Sequence, residues 1–191
     1  MRGTGRLLVL SAPSGGGKTT ICEQLLRRDR KLSRSISATT RPRRGREQHG
    51  REYYFWNEAT FKRHLRAGCF LEWAKVHGHY YGTLRSEIAR RRRGDRDVIL
   101  VIDVQGGLAV KKQDPEAVLI FVKPPTYRVL AERLRRRGTD SRKIIRQRLR
   151  NARWEMTQAD AYDYVVVNHT LARAVRQVEA IITAERLRRK R

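Results

Sequence analysis

The chain has 191 residues, 39% of them hydrophobic, enough to bury one substantial core and too few for two independent domains of ordinary size. Lys and Arg outnumber Asp and Glu by 44 to 19, and the formal charge of +25 makes the surface attractive to polyanions, nucleotides and nucleic acid alike. Cys22 and Cys69 stand far apart in no ligand-like pattern, which argues against a disulfide framework or a zinc site. No run approaches the roughly 18 apolar residues of a membrane span, so a location in a reducing cytoplasm is expected, with no membrane association.

Positions 7–10 are an aliphatic run stopped by Ser11-Ala12-Pro13, which reads as a buried strand ended by turn chemistry. The glycine-rich segment Ala12-Pro13-Ser14-Gly15-Gly16-Gly17-Lys18-Thr19 follows, and a helix is predicted from 19 to about 28. Strand, glycine loop and helix start in that order are the context of a P-loop. Glycines let successive N–H groups turn inward around a phosphate, and the helix N-terminus adds its dipole. Lys18 is then placed to reach the β and γ oxygens of a triphosphate, and the Thr19 hydroxyl to ligate Mg2+. Such loops usually open with Gly; Ala12 gives up some φ freedom at that point.

Between 39 and 83 the pattern changes to short aromatic segments, Tyr53-Tyr54-Phe55-Trp56 and Phe70-Leu71-Glu72-Trp73, and predicts an inserted substrate-binding lobe. Positions 97–103 contain five consecutive apolar residues, the mark of a central parallel strand covered on both faces. Asp103, at its end, stands where a second carboxylate would orient Mg2+; a cap on a Gln105-Gly106-Gly107 turn fits the spacing equally well. The strand signature recurs at 117–122 and 164–167, each followed by a helix-length segment, 126–137 and 171–188. This alternation predicts a doubly wound α/β fold. The basic runs at 90–93 and 186–191 read as solvated helix ends, with nonspecific nucleic-acid or anionic-surface binding as the other reading. The histidines, His77 and His79 among them, form no convincing metal site.

These segments together resemble the guanylate kinase family, P-loop enzymes that phosphorylate a nucleoside monophosphate. The resemblance covers nearly the whole chain. It is carried by the P-loop, Ser37-Ala38-Thr39-Thr40-Arg41 with Arg44, Gly50-Arg51-Glu52-Tyr53-Tyr54-Phe55, Phe70-Leu71-Glu72-Trp73-Ala74, Tyr80-Tyr81-Gly82-Thr83, Ile102-Asp103-Val104-Gln105-Gly106, Arg133-Leu134 with Arg137-Gly138, and Val167-Asn168. It implies a P-loop NTPase-type parallel sheet flanked by helices, with a core of about 1–36 and 84–191, a GMP-binding lobe of about 37–83 and a helical lid of about 133–148. ATP and GMP are the implied substrates and Mg2+ the implied cofactor. By similarity Ala12 to Thr19 and Asn168 bind ATP, with a strand-end cap as the other reading of Asn168. Arg41, Arg44, Tyr53 and Tyr81 hold the GMP phosphate, Ser37, Glu72 and Thr83 read the guanine, and Asp103 lies beside GMP or, indirectly, the metal. Lys18, Arg41, Arg133, Arg137 and Arg148 act on the transferring group. Three departures stand out: Gly45 comes one position early, which lets Arg43 compete with Arg44; Val101 replaces a common Asp; His169 and Thr170 replace acidic residues. Readings set against this one are a kinase of another phosphorylated acceptor, a silent binding module and a nucleic-acid-binding protein.

Overall fold

The computed structural model describes residues 5–76, 78–136 and 141–189. Arg137, the Gly138 to Asp140 part of the predicted lid, His77 and the last two residues of the basic tail lie outside the described residues.

A five-stranded parallel sheet forms the centre, in the order β2-β7-β1-β8-β9, from β1 (Leu7–Ser11), β2 (Leu32–Arg34), β7 (Asp97–Val101), β8 (Val118–Lys123) and β9 (Tyr164–Val167). As predicted, β7 is a central parallel strand, lying between β2 and β1, and β1 takes the middle place of the five. All five residues of β1 are buried because helices cover both faces. Leu8 and Leu10 pack against Ile21, Leu25, Val175 and Val178 of α1 (Lys18–Arg28) and α7 (Leu171–Leu187). Leu7 and Val9 point the other way, into a cluster with Val104, Val110, Phe121 and Tyr162 that includes α4 (Val104–Gln113). Two-residue alternation along one strand therefore feeds two cores.

A second, four-stranded sheet has the order β4-β3-β6-β5, from β3 (Ala38–Thr39), β4 (Tyr54–Phe55), β5 (Phe70–Val76) and β6 (His79–Leu84). The aromatic residues that set this segment apart in the sequence make its core: Phe61, on α2 (Glu58–Arg66), stacks on Phe70 at 4.5 Å and on Tyr80 at 5.3 Å. The chain leaves the parallel sheet after β2 and returns through α3 (Arg85–Arg91). Buried Glu87 of α3 accepts from Ile36 N–H and from the Tyr54 hydroxyl, both at 3.3 Å, tying the outgoing segment to the second sheet.

The basic runs are only partly solvated. Arg90 and Arg91 both grip Glu87, Arg92 donates to the Gly5 carbonyl at 2.9 Å, and Arg186 binds Asp97 and Asp29, each at 2.6 Å. Arg90, Arg91 and Arg186 thus supply the counter-charge for Glu87 and Asp97, both buried.

Candidate functional site

β1 delivers the glycine-rich loop to the C-terminal edge of the parallel sheet, where ligands of open α/β sheets bind. Gly15 and Gly17 take positive φ values of 90° and 97°, and Gly17 caps α1 in the left-handed region, a conformation that favours glycine. Asp95 is the one non-glycine residue at positive φ among the described residues, so Ala12 does without the freedom that glycine would have given it. Lys18 and Thr19 open α1, with the loop's backbone amides beside them. Asn168, directly after β9, is buried and donates from Nδ2 to the Gly16 carbonyl at 3.0 Å. A methyl group on Gly17 would come within 2.7 Å of that nitrogen, so the close approach needs glycine there. Asn168 is thus a brace under the loop, and its own carbonyl accepts from Arg133 at 3.0 Å.

A cleft of about 560 Å3 opens between this loop and the second sheet. From the loop come Pro13 to Thr19; from the opposite wall come Ser37, Arg44, Tyr53, Glu72 and Tyr81; Asp103 and Arg148 also line it. Thr83 is fully buried behind Glu72 and donates to its Oε1 at 2.6 Å, while the Ser37 and Thr83 hydroxyls are 3.2 Å apart. The three predicted guanine readers therefore form one hydrogen-bonded cluster. Glu72 is 5% exposed, and burial pushes its carboxyl up to about 7; the Thr83 hydrogen bond opposes that rise and the Asp103 charge adds to it. Gly106 makes room for this carboxylate, since a side chain there would reach 2.7 Å from Glu72 Oε2.

Asp103 both faces the cleft and caps a helix. Its Oδ1 accepts from Gly106 N–H at 2.9 Å, as N-cap of α4. The Gln105-Gly106-Gly107 turn is instead the first turn of that helix. Its glycines are packing residues there, Gly107 lying against the Tyr162 hydroxyl.

Arg41 is buried and does not line the cleft. It makes a two-pronged ion pair with Glu47, at 2.8 and 2.9 Å, and its guanidinium lies 5.4 Å from the centre of the Tyr53 ring. Glu47 also accepts from Arg44 N–H at 2.8 Å, so the loop bearing the early Gly45 closes around that carboxylate. Arg44 then faces the cleft, whereas Arg43 stacks 5.4 Å over Phe55. A second recess of about 350 Å3 lies on the far side of the glycine loop, lined by Gly15, Gly17, Thr20, Arg133, Arg136 and Asn168 among others.

The sequence reading missed Glu155. It projects from α6 (Arg142–Thr157) into the cleft and accepts from Ser14 N–H at 3.4 Å. Burial raises its pKa, with the nearby Lys18 charge pulling the other way. A signal was present: Glu155 is the one acid in a helix that carries six cations.

The sequence matches the guanylate kinase family over residues 4–185. It is 46% identical to the guanylate kinase of Thermotoga maritima over 182 residues, 95% of this chain and 88% of that one. Against the Myxococcus xanthus guanylate kinase it is 48% identical over 188 residues, 98% of this chain and 90% of that one. The crystal structure of guanylate kinase from Anaplasma phagocytophilum superposes with a TM-score of 0.80 at 32% identity, covering 98% of this chain and 89% of that one.

Proposed function

Because the chain belongs to the guanylate kinase family, we infer that it transfers the γ-phosphoryl group of ATP to GMP, giving ADP and GDP in purine nucleotide metabolism. One observation carries the acceptor's identity: the hydroxyls of Ser37 and Thr83 gathered on a buried Glu72 across one cleft from the glycine loop. A carboxylate there accepts from both N1–H and the exocyclic amine of guanine. Adenine offers no such pair of donors and would leave Glu72 unpaired, a loss that discriminates by roughly 10^4.

In this reading the loop from Ala12 to Thr19 cradles the triphosphate, Lys18 reaches the β and γ oxygens, and the recess beside Asn168 receives the adenine end. Arg44, Tyr53 and Tyr81 hold the GMP phosphate, with Arg41 behind them keeping the ring of Tyr53 in place and adding positive charge. Asp103 lies beside the bound GMP. Residues 37–83 act as the GMP-binding lobe on a core of 1–36 and 84–191. Residues 133–148 form the lid, which carries Arg133, Arg137 and Arg148 toward the moving phosphoryl group.

The transfer is direct and in line. The acceptor phosphate, with a second pKa of roughly 6, is already an anion at neutral pH and needs no general base. What the chain must supply is alignment and charge neutralisation between two anions, the main requirement of phosphoryl transfer. Mg2+ accompanies ATP in this proposal. The donors suit an ion held chiefly by phosphate oxygens: Thr19 offers a hydroxyl, Asp103 offers a carboxylate, and no group of three or more His, Cys, Asp or Glu forms a metal cage among the described residues. When bound, the ion spreads the charge of the β- and γ-phosphates. The cytoplasm is the proposed location, in keeping with two free cysteines and with no helix among the described residues long and apolar enough to cross a membrane.

A coupled ADP-release assay with ATP and each of GMP, AMP, CMP and UMP tests the proposal. Turnover with GMP alone is expected. A preference for any acceptor without guanine would overturn the assignment of Glu72.

A further inference from the structure

α6 presents three faces. Ile145, Leu149 and Ala152 pack on Leu130 and Leu134 of α5 (Tyr127–Arg136), while Ile144, Gln147, Arg148 and Glu155 turn to the cleft. The remaining face carries Arg142, Lys143, Arg146, Arg150 and Arg153, all exposed. At 3.6 residues per turn these five fall within an arc of about 100° and extend over about 16 Å of helix axis. The helix's one acid points away from them, and among the described residues no carboxylate pairs with any of the five. Trp154 borders the stripe and is 47% exposed, an unusual state for the largest apolar side chain. Tyr127 lies alongside, its ring 5.1 Å from the Arg153 guanidinium.

None of the five basic side chains lines the cleft, and all of them are exposed. Five like charges along one stripe repel each other, so the bare helix carries an electrostatic cost that a polyanion would relieve. Elsewhere the basic residues are partly spent on internal ion pairs, as with Arg90, Arg91 and Arg186. We propose that this face of α6 is a docking surface for single-stranded nucleic acid, with the stripe following the phosphate backbone and Trp154 stacking on an unpaired base. Cations for the backbone beside an exposed aromatic for the bases are the combination by which proteins hold single strands. A duplex hides its bases and would leave Trp154 idle, and a lipid surface would take a broader apolar face than the single Trp154 that borders the stripe.

The test is fluorescence anisotropy of a labelled 20-nucleotide oligothymidylate titrated with the full-length protein from 50 to 200 mM salt. With five contacts, the slope of log affinity against log salt is expected to be about −3.5, a loss of about a hundred-fold across that range. The triple variant Arg146→Gln, Arg150→Gln, Arg153→Gln should reduce the slope to about −1.5, and the double variant Arg150→Gln, Arg153→Gln, beyond the lid, to about −2 with GMP turnover unchanged. A charge-matched control, Arg63→Gln, Arg66→Gln, Arg93→Gln, removes exposed cations from elsewhere and should keep the full slope. Trp154→Ala should weaken binding about ten-fold with the slope intact. Equal losses in the two triple variants would show diffuse charge and overturn the proposal. So would tighter binding to the matching duplex or to vesicles of anionic lipid, or no binding at 50 mM salt.

Discussion

Replacing Glu72 by Gln should stabilise the free protein and disable it together. In the fold the carboxyl is buried and its pKa stands at about 7, against an ordinary 4.5. Below pH 4.5 the group is neutral whether folded or unfolded, and it costs nothing. As pH rises from 4.5 to 7 the unfolded chain ionises first, and the penalty on the folded state grows; above 7 both forms are ionised and the penalty is constant. The span between the two values corresponds to about 3 kcal/mol. Gln keeps an oxygen for the Thr83 hydroxyl and carries no charge, so Glu72→Gln should match the wild type in urea denaturation at pH 4.5 and exceed it by up to about 3 kcal/mol at pH 8. For a chain of this length that is a rise of about 6–12 °C in melting temperature. GMP binding should fall by at least a hundred-fold with ATP binding preserved, because the amide presents a donor to a base edge that also donates. Equal stability of the two proteins at pH 8 would refute the claim that burial raises the pKa of this carboxyl. A parallel loss of ATP and GMP binding would make Glu72 structural.

Glu155 puts a carboxylate against the loop that receives the triphosphate, so Glu155→Gln should tighten ATP binding about five-fold at pH 8, with the gain shrinking as pH falls through the raised pKa. A fluorescence titration showing weaker ATP binding would mean that Glu155 supports the loop instead. Asn168→Ala removes the brace under Gly16 and leaves its buried carbonyl without that donor, a loss of about 2 kcal/mol in stability and about ten-fold in ATP affinity by calorimetry, with GMP affinity unmoved. Burial raises the Cys22 thiol to about 11, with the Arg34 charge opposing. Native protein at pH 8 should therefore give one rapidly titrated thiol, from Cys69, and a second only in denaturant; prompt reaction of both would contradict the buried placement.

Much of this was legible because the sequence wrote it in local chemistry. The strand at Leu7–Ser11, the glycine loop and the start of α1 are contiguous, and each follows from apolar runs and φ preferences within a dozen residues. The Glu72, Ser37 and Thr83 cluster is different. Its members are 35 and 11 positions apart, and no periodicity brings them together; only the family resemblance named them as a set. Two glycines hid α4, since Gly106 and Gly107 argue for a turn by propensity. They are kept in the helix because Glu72 and Tyr162 approach too closely for any side chain. Tertiary pairing also decided the fate of Arg186, whose partners Asp97 and Asp29 lie 89 and 157 positions away. Glu155 escaped for a related reason, because its partner amide lies 141 positions away.

At the centre of this account are two anion cradles that face each other across one cleft, one for a triphosphate and one for a guanine monophosphate. A single ligand that joins adenosine to guanosine through five phosphates spans both, and calorimetry of its binding measures them together. It should bind at least about a hundred-fold more tightly than ATP or GMP alone, because the second end arrives at high effective concentration. Affinity no better than that of the stronger single nucleotide would mean that the two sites do not converge.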